Sequence, residues 1–255
     1  METRETPGCR ACCDSPADRT HAILLVGPTG SGKTPLGELL EHKGLWGRRC
    51  RHFDFGEQMR SIVAAARPPE YLGDDDVQFL QEVLTTGALL EDEHFTIAGK
   101  ILRAFVDEQE TGEALVVLNG LPRHVGQAED VESIVPVRAV VELACTPQAV
   151  LRRIRADMGG DRAGRSDDDE VSVRKKLATF AERTSPLLDY YRARGVRMVT
   201  VRVAADTTAE AVRNAINRSA PDDSQQPSRT EVLGSSGPLA RGASTTTRKP
   251  TMKSQ

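Results

Sequence analysis

With 255 residues, of which 28% are charged, the chain has room for one or two domains. Its formal net charge of −3 argues against a dedicated nucleic-acid binder, because such a domain carries a strong positive charge. No apolar run approaches the ~18 residues that a membrane span needs, and residues 1–20 lack the apolar middle section of a secretory signal, so we expect a cytoplasmic protein.

Both ends of the chain have the composition of unstructured tails. Residues 219–255 are rich in Ser, Thr, Pro, Gly and Gln and hold almost no large apolar side chains. Such a segment buries too little apolar surface to offset the entropy of ordering it. We therefore expect tails at 1–19 and 219–255 around one folded domain at 20–218.

Within that domain, short apolar runs alternate with helical patterns. The predicted strands cover residues 22–26, 50–55, 114–118, 137–143 and 196–203. The predicted helices begin near residues 34 and 147 and otherwise cover 57–66, 74–86, 92–109, 170–194 and 207–217. Strands that are apolar along their whole length are typical of sheets covered on both faces. The alternation predicts an α/β three-layer sandwich, with a five-stranded parallel sheet between helices.

A glycine-rich segment joins the first strand to the first helix and fits G-x-x-x-x-G-K-[ST] without a gap, with the residues Gly27, Pro28, Thr29, Gly30, Ser31, Gly32, Lys33 and Thr34. The glycines let several backbone N–H groups point at one anion, and the helix adds its positive N-terminal end. Lys33 supplies a cation for phosphates, Thr34 offers a hydroxyl to Mg²⁺, and Pro35 fits the first helical turn. A plain glycine turn is the alternative, but the flanking strand and helix favour this phosphate-binding loop, or P-loop.

Downstream of the P-loop, a series of short motifs resembles the adenylate kinase family of nucleoside monophosphate kinases over about residues 22–217. Residues 55–60 resemble the segment G-[DE]-x-[LM]-R, and residues 87–93 resemble G-x-L-V-x-D-E. Residues 119–123 with Gln127 resemble D-G-F-P-R followed by Q, and residues 165–168 and 175–177 resemble R-x-D-D followed by K-R-L. Each match is weak alone, but their order behind a P-loop is specific.

The resemblance implies both an architecture and a reaction. The γ-phosphoryl group of ATP, with Mg²⁺, would pass to a nucleoside monophosphate, AMP being favoured because Gln127 is present. The monophosphate-binding helices would span about 55–110, and a short, zinc-free lid would span about 155–168. The expected partners are small-molecule nucleotides, and the expected state is a monomer.

The implied site has an ATP side and an acceptor side. The ATP side consists of residues 27–35 and Arg153. The acceptor side consists of Phe55, Gly56, Arg60, Leu84, Leu90, Gly120, Arg123, Gln127, Arg165 and Lys176. The implied catalytic cations are Lys33, Arg123, Arg153, Arg165 and Lys176. Phosphoryl transfer needs such positioning and charge neutralisation, and arginine can bind phosphate bidentately.

Asn119 departs from the family pattern, in which an aspartate at this position helps to hold hydrated Mg²⁺. The amide keeps an oxygen that can accept from a metal-bound water, but it loses the charge. Thr34 and Asn119, the latter through water, are therefore the predicted metal site, with weakened binding that Asn119→Asp should improve. The alternative is that a nearby carboxylate takes over the ion, in which case a new aspartate would add repulsion.

Other departures leave the acceptor and the activity open. Phe55 stands where a hydroxyl residue often touches the acceptor base, Asp157 where the lid carries a second arginine, and Lys176 replaces an arginine. Asp167 and Asp168 either orient the lid or belong to a solvated loop that caps the next helix. The alternatives to an AMP kinase are a kinase for UMP, CMP or a deoxynucleotide, and a nucleotide-binding protein with little catalysis.

Overall fold

A computed structural model describes residues 20–108, 114–160 and 169–220. Its strands are β1 (His21–Val26), β2 (Cys50–Asp54), β3 (Leu115–Asn119), β4 (Val137–Cys145) and β5 (Arg197–Val203). Its α-helices are α1 (Lys33–Lys43), α2 (Phe55–Ala64), α3 (Asp74–Thr86), α4 (Phe95–Asp107), α5 (Ala128–Ile134), α6 (Pro147–Arg155), α7 (Glu170–Thr179), α8 (Pro186–Ala193) and α9 (Ala209–Arg218). The predicted α/β class with a five-stranded parallel sheet is confirmed.

The strands lie in the order β2-β3-β1-β4-β5, and every neighbouring pair is parallel. Parallel neighbours need crossover connections, which place helices on the faces of the sheet. In β1, Leu24 packs with the core on the side of α2, α3, α4, α5 and α8, while Ile23 and Leu25 pack with the core on the side of α1 and α9. The continuous apolar run of β1 therefore reflects burial on both faces.

Two predictions along the chain differ from the structure. The short helix α5 was not anticipated between the third and fourth strands. The predicted helix at 170–194 is divided into α7 and α8 by a π-helical turn, Phe180–Thr184, in which the Ser185 N–H donates to the Phe180 carbonyl at 2.8 Å. Pro186 follows directly and has no N–H with which to continue the regular ladder, which explains the break.

Across the three described ranges, no helix combines the length and the apolar character that a membrane crossing requires. The predicted tails, apart from Ser219 and Ala220, and the lid residues 161–168, Arg165 among them, lie outside these ranges. The domain bounds at 20–218 accordingly stay a prediction.

Removing both tails should leave the fold and the activity unchanged. A shortened chain of residues 20–220 keeps α9, whose Ile216 is fully buried, and should retain its melting temperature and its kcat/KM within about twofold. Thermal unfolding and a phosphoryl-transfer assay measure the two. A chain that stops at residue 213 is the matched control and should be unstable, because it loses Ile216. Loss of stability in the 20–220 chain would mean that a tail packs on the domain.

Candidate functional site

The predicted site residues gather at the carboxyl ends of three adjacent strands. The P-loop follows β1, Asp54 ends β2 and Asn119 ends β3. The strand register pairs Asp54 with Asn119, and Asn119 with Leu25 of β1. In open α/β sheets, ligands bind in the crevice beyond this edge. The topology therefore brings the P-loop, the start of the 55–60 segment and the start of the 119–123 segment to one place.

The P-loop has the backbone that its glycines were expected to provide. Gly30 and Gly32 have φ angles of 72° and 94°, a conformation that other residues rarely adopt. The Lys33 ammonium donates to the carbonyls of Gly27 at 2.7 Å and Pro28 at 3.0 Å. This lysine is therefore folded over the mouth of the loop, at the start of α1, where a phosphate would be held.

Arg153 braces the P-loop by joining it to the loop between β5 and α9. It is 6% exposed, and its Nε donates to the Gly30 carbonyl at 3.0 Å. Its Nη1 donates to the carbonyls of Ala204 at 3.0 Å and Thr207 at 2.7 Å, in the loop between β5 and α9. The prediction made Arg153 a cation for the transferring phosphate. The bonds of Nε and Nη1 to backbone carbonyls favour a positioning role for the P-loop. Nη2 lies 3.0 Å from where a Cβ atom on Gly32 would stand, and the role of Arg153 as a cation stays a prediction.

A hydrogen-bonded triad of Thr34, Asp54 and Asn119 lies beside the P-loop. The Thr34 hydroxyl donates to Asp54 Oδ2 at 2.7 Å, and Asn119 Nδ2 donates to the same oxygen at 2.7 Å and to Thr34 Oγ1 at 3.1 Å. Thr34 and Asn119, the two residues of the predicted metal site, lie side by side, whereas Asp54 was not among the predicted residues. The signal was available, since a polar residue that ends a buried strand beside β3 must lie at the same sheet edge.

On the acceptor side, Phe55 is buried and lies close to Gly120. A Cβ atom added to Gly120, whose φ is 86°, would lie 3.6 Å from the Phe55 Cβ. Arg60 lies nearer to solvent, with 48% of its side chain exposed, and donates to Glu57 Oε2 from Nε at 3.1 Å and from Nη2 at 2.7 Å. Exposed pairs of this kind contribute little, so Arg60 can leave Glu57 for a phosphate at low cost.

Arg123 is the cation whose surroundings point most directly to an anion. The residue is only partly exposed, and burial lowers the pKa of its guanidinium. Within residues 20–108, 114–160 and 169–220, the structure gives this guanidinium no hydrogen-bond or ion-pair partner; its backbone N–H donates to Gln127 Oε1 at 2.8 Å. A desolvated charge left in this state is costly, and a bound phosphate would compensate it.

Gln127, the predicted partner of the acceptor base, makes hydrogen bonds within the protein. It is fully buried, its Oε1 accepts from the Arg123 N–H, and its Nε2 donates to the Leu90 carbonyl at 2.7 Å. Both halves of the amide therefore join the arginine loop to the segment before α4. Leu90 is itself buried, and Leu84 of α3 is partly buried in the same core. The amide keeps one N–H and one oxygen lone pair, but the residue is fully buried, so a base can reach them only if the surrounding chain moves.

Gln127→Leu should therefore destabilise the folded state. The substitution keeps the volume approximately but leaves the Arg123 N–H without a partner and the Leu90 carbonyl with only His124 Nε2, 3.3 Å away, at a cost of about 1–3 kcal/mol. Urea unfolding measures this loss, and Gln78→Leu, at an exposed position of α3, should cost far less. A Gln127→Leu protein of unchanged stability that no longer distinguishes AMP from other monophosphates would instead support base recognition.

The lid side is only partly within the described ranges. Lys176 lies on α7 and is partly exposed, whereas Arg165, Asp167 and Asp168 fall outside those ranges. Asp169 caps α7, since its Oδ1 accepts from the N–H groups of Val171 and Ser172 at 3.0 Å each.

Arg155, two residues before Asp157, has an exposed partner. Arg155 Nη2 lies 3.4 Å from Glu170 Oε2, and Asp157 is exposed with a φ of 42°. An ion pair absent from the sequence analysis joins Arg183, in the π-helical turn, to Glu91, with nitrogen–oxygen distances of 3.2 and 2.7 Å. It links the segment before α4 to the helices that follow the lid.

Comparisons with known proteins agree with this arrangement. The family model described as adenylate kinase matches residues 25–196, from β1 to the residue before β5. The adenylate kinase of Synechococcus sp. (strain WH7803) is 32% identical over 206 residues, covering 77% of this chain and 97% of that relative. That of Xanthomonas campestris pv. campestris (strain B100) is 31% identical over 178 residues, covering 68% and 86%. That of Bartonella tribocorum (strain CIP 105476 / IBS 506) is 28% identical over 186 residues, covering 69% and 89%.

Proposed function

Because the chain belongs to the adenylate kinase family and is a nucleoside monophosphate kinase, we propose that it transfers the γ-phosphoryl group of ATP to AMP, giving two nucleoside diphosphates. The observation that carries this proposal is the pair of cations at one sheet edge. Lys33 lies over the P-loop, and Arg123 lies partly buried with no counter-ion among the described residues. One suits the phosphates of the donor, and the other suits the phosphate of the acceptor.

The protein's part in the reaction is positioning and charge neutralisation. The P-loop N–H groups and Lys33 hold the donor phosphates, while Arg153 fixes the loop through the Gly30 carbonyl. Arg60 and Arg123 hold the acceptor phosphate in line with the donor. Lys176, on α7, would approach the transferring group from the lid side, and Arg165, outside the described residues, stays a predicted cation. Lysine in place of arginine at 176 offers a point charge without the bidentate fork.

Hard oxygen donors suit Mg²⁺, and the triad beside the P-loop supplies them. The hydroxyl of Thr34 and the carboxylate of Asp54 fit a hydrated ion held mainly by phosphates. When bound, Mg²⁺ neutralises charge on the β- and γ-phosphates. Across the described residues, no group of three or more His, Cys, Asp or Glu side chains gathers as a separate metal site.

AMP is the favoured acceptor because the named relatives are adenylate kinases and Gln127 occupies the matching position. A kinase for UMP, CMP or a deoxynucleotide is the second candidate. It is favoured by the buried Phe55, where a hydroxyl residue usually meets the base, and by the internal hydrogen bonds of Gln127. A monomer in the cytoplasm is the accompanying expectation.

A coupled assay with ATP, Mg²⁺ and a panel of monophosphates tests the proposal. AMP should give the highest kcat/KM among AMP, dAMP, UMP and CMP. A higher kcat/KM for a pyrimidine nucleotide would instead support the second candidate function. Failure to phosphorylate any member, with ATP still bound, would make the chain a nucleotide-binding protein.

A further inference from the structure

The carboxylate of Asp54 meets the P-loop hydroxyl at the sheet edge. Its Oδ2 accepts from both Thr34 Oγ1 and Asn119 Nδ2 at 2.7 Å. The hydroxyl proton of Thr34 thus points at Asp54, and Asn119 Nδ2 lies 3.1 Å from Thr34 Oγ1. Because a hydroxyl has two lone pairs, one remains for a cation beside the P-loop.

The orientation of the Asn119 amide follows from this contact. An ionised carboxylate can only accept hydrogen bonds, so the amide nitrogen must face Asp54 and the amide oxygen must face away. Asn119 is 4% exposed, which leaves this amide little freedom to turn. An aspartate at 119 would bring two carboxylates to hydrogen-bond distance, where they repel or share a proton. Asparagine at 119 therefore suits an aspartate at 54, because it donates to the carboxylate instead of repelling it.

We propose that Asp54, at the end of β2, supplies the carboxylate that holds the hydrated Mg²⁺ of the ATP complex, and that Asn119 orients this carboxylate. The site keeps one negative charge, but the charge lies on β2 instead of β3. This inference rests on the proposed use of ATP with Mg²⁺. It replaces the expectations that metal binding is weak and that Asn119→Asp would improve it.

Asp54 also caps α2, and this structural role is separable from the proposed one. Its Oδ1 accepts from the Glu57 N–H at 3.1 Å, while Oδ2 faces Thr34 and Asn119. Asparagine caps a helix about as well as aspartate. Asp54→Asn therefore preserves the cap and removes the charge, which makes it the informative variant.

The test measures metal-linked binding, without turnover. Isothermal titration gives the dissociation constant of a non-hydrolysable ATP analogue with Mg²⁺ and with EDTA, and the ratio of the two is the gain in affinity due to the metal. Asp54→Asn should reduce this gain by at least about tenfold and leave the metal-free affinity similar or higher. Mn²⁺ titration of the analogue complex by electron paramagnetic resonance should show the same loss. Asp189→Asn, an exposed carboxylate on α8, is the control and should change neither quantity.

The exchange of the two residues provides the sharper comparison. Asn119→Asp alone should lower the melting temperature without increasing the metal gain, and Asp54→Asn/Asn119→Asp should recover most of that gain. An unchanged gain in Asp54→Asn, or an increased one in Asn119→Asp alone, would overturn the inference. A wild-type protein with the Asp54-dependent gain but no transfer to any monophosphate would refute the proposed function and leave this inference standing.

Discussion

Replacing Lys33 with alanine should abolish useful phosphoryl transfer while the protein stays folded. Its ammonium already lies at the mouth of the P-loop, bonded to the carbonyls of Gly27 and Pro28. Losing a cation aimed at the phosphates costs on the order of 3 kcal/mol or more in the transition state, a reduction of kcat/KM by about two orders of magnitude or more. Lys33 is partly exposed and its bonds to these carbonyls are within one loop, so the melting temperature should change little.

Lys43→Ala provides the matched control for that experiment. Lys43 lies at the other end of α1 and pairs with Glu210 at 3.0 Å, both side chains being well exposed. Its removal should leave kcat/KM unchanged, because exposed pairs contribute little. Steady-state kinetics and thermal unfolding of both variants decide the matter. A Lys33→Ala enzyme with near wild-type kcat/KM would exclude the kinase mechanism proposed here.

Arg123→Met should weaken binding of the monophosphate without destabilising the folded protein. The guanidinium is desolvated and has no partner among the described residues, so replacing it with an apolar side chain should leave the free energy of unfolding unchanged or raise it. Affinity for the monophosphate should fall by about a hundredfold, since a charge-assisted bidentate contact is lost. Affinity for an ATP analogue should be nearly unaffected.

Arg60→Ala should show the same selectivity for the acceptor with little effect on stability, because its ion pair with Glu57 is exposed. Arg103→Met, at an exposed position of α4, is the control for both variants. Titration with the monophosphate and with the ATP analogue, together with urea unfolding, gives the three quantities required. If ATP affinity fell and monophosphate affinity did not, the assignment of the two subsites would be reversed.

The architecture was predictable because local patterns and tertiary environment agree. Each strand is a short apolar run between helical segments, and burial on both faces of β1 and β3 accounts for the absence of alternation. The helix α5 was missed because its seven residues begin with Ala128-Glu129-Asp130 and present only a short apolar pattern. The interruption at Phe180–Thr184 was missed because a helix-compatible sequence continues through it until Pro186.

The site was predictable where its function depends on contiguous residues. The P-loop can be predicted from residue spacing alone. Asp54 belongs to no sequence motif, and its place beside Asn119 follows only from the register between β2 and β3. Gln127 shows the opposite case, since its motif predicts contact with a base but the fold satisfies both of its amide atoms internally. Side-chain direction decides such roles, and no linear pattern specifies it.

The Arg153 brace has a consequence for the opening motions of the molecule. One guanidinium holds the Gly30 carbonyl on one side and the carbonyls of Ala204 and Thr207 on the other. Local unfolding of the segment between β5 and α9 would therefore release the P-loop, although the two segments are far apart in the chain. Amide hydrogens near residue 207 should then exchange more slowly whenever a nucleotide holds the P-loop in place, because both segments belong to the same cooperative unit.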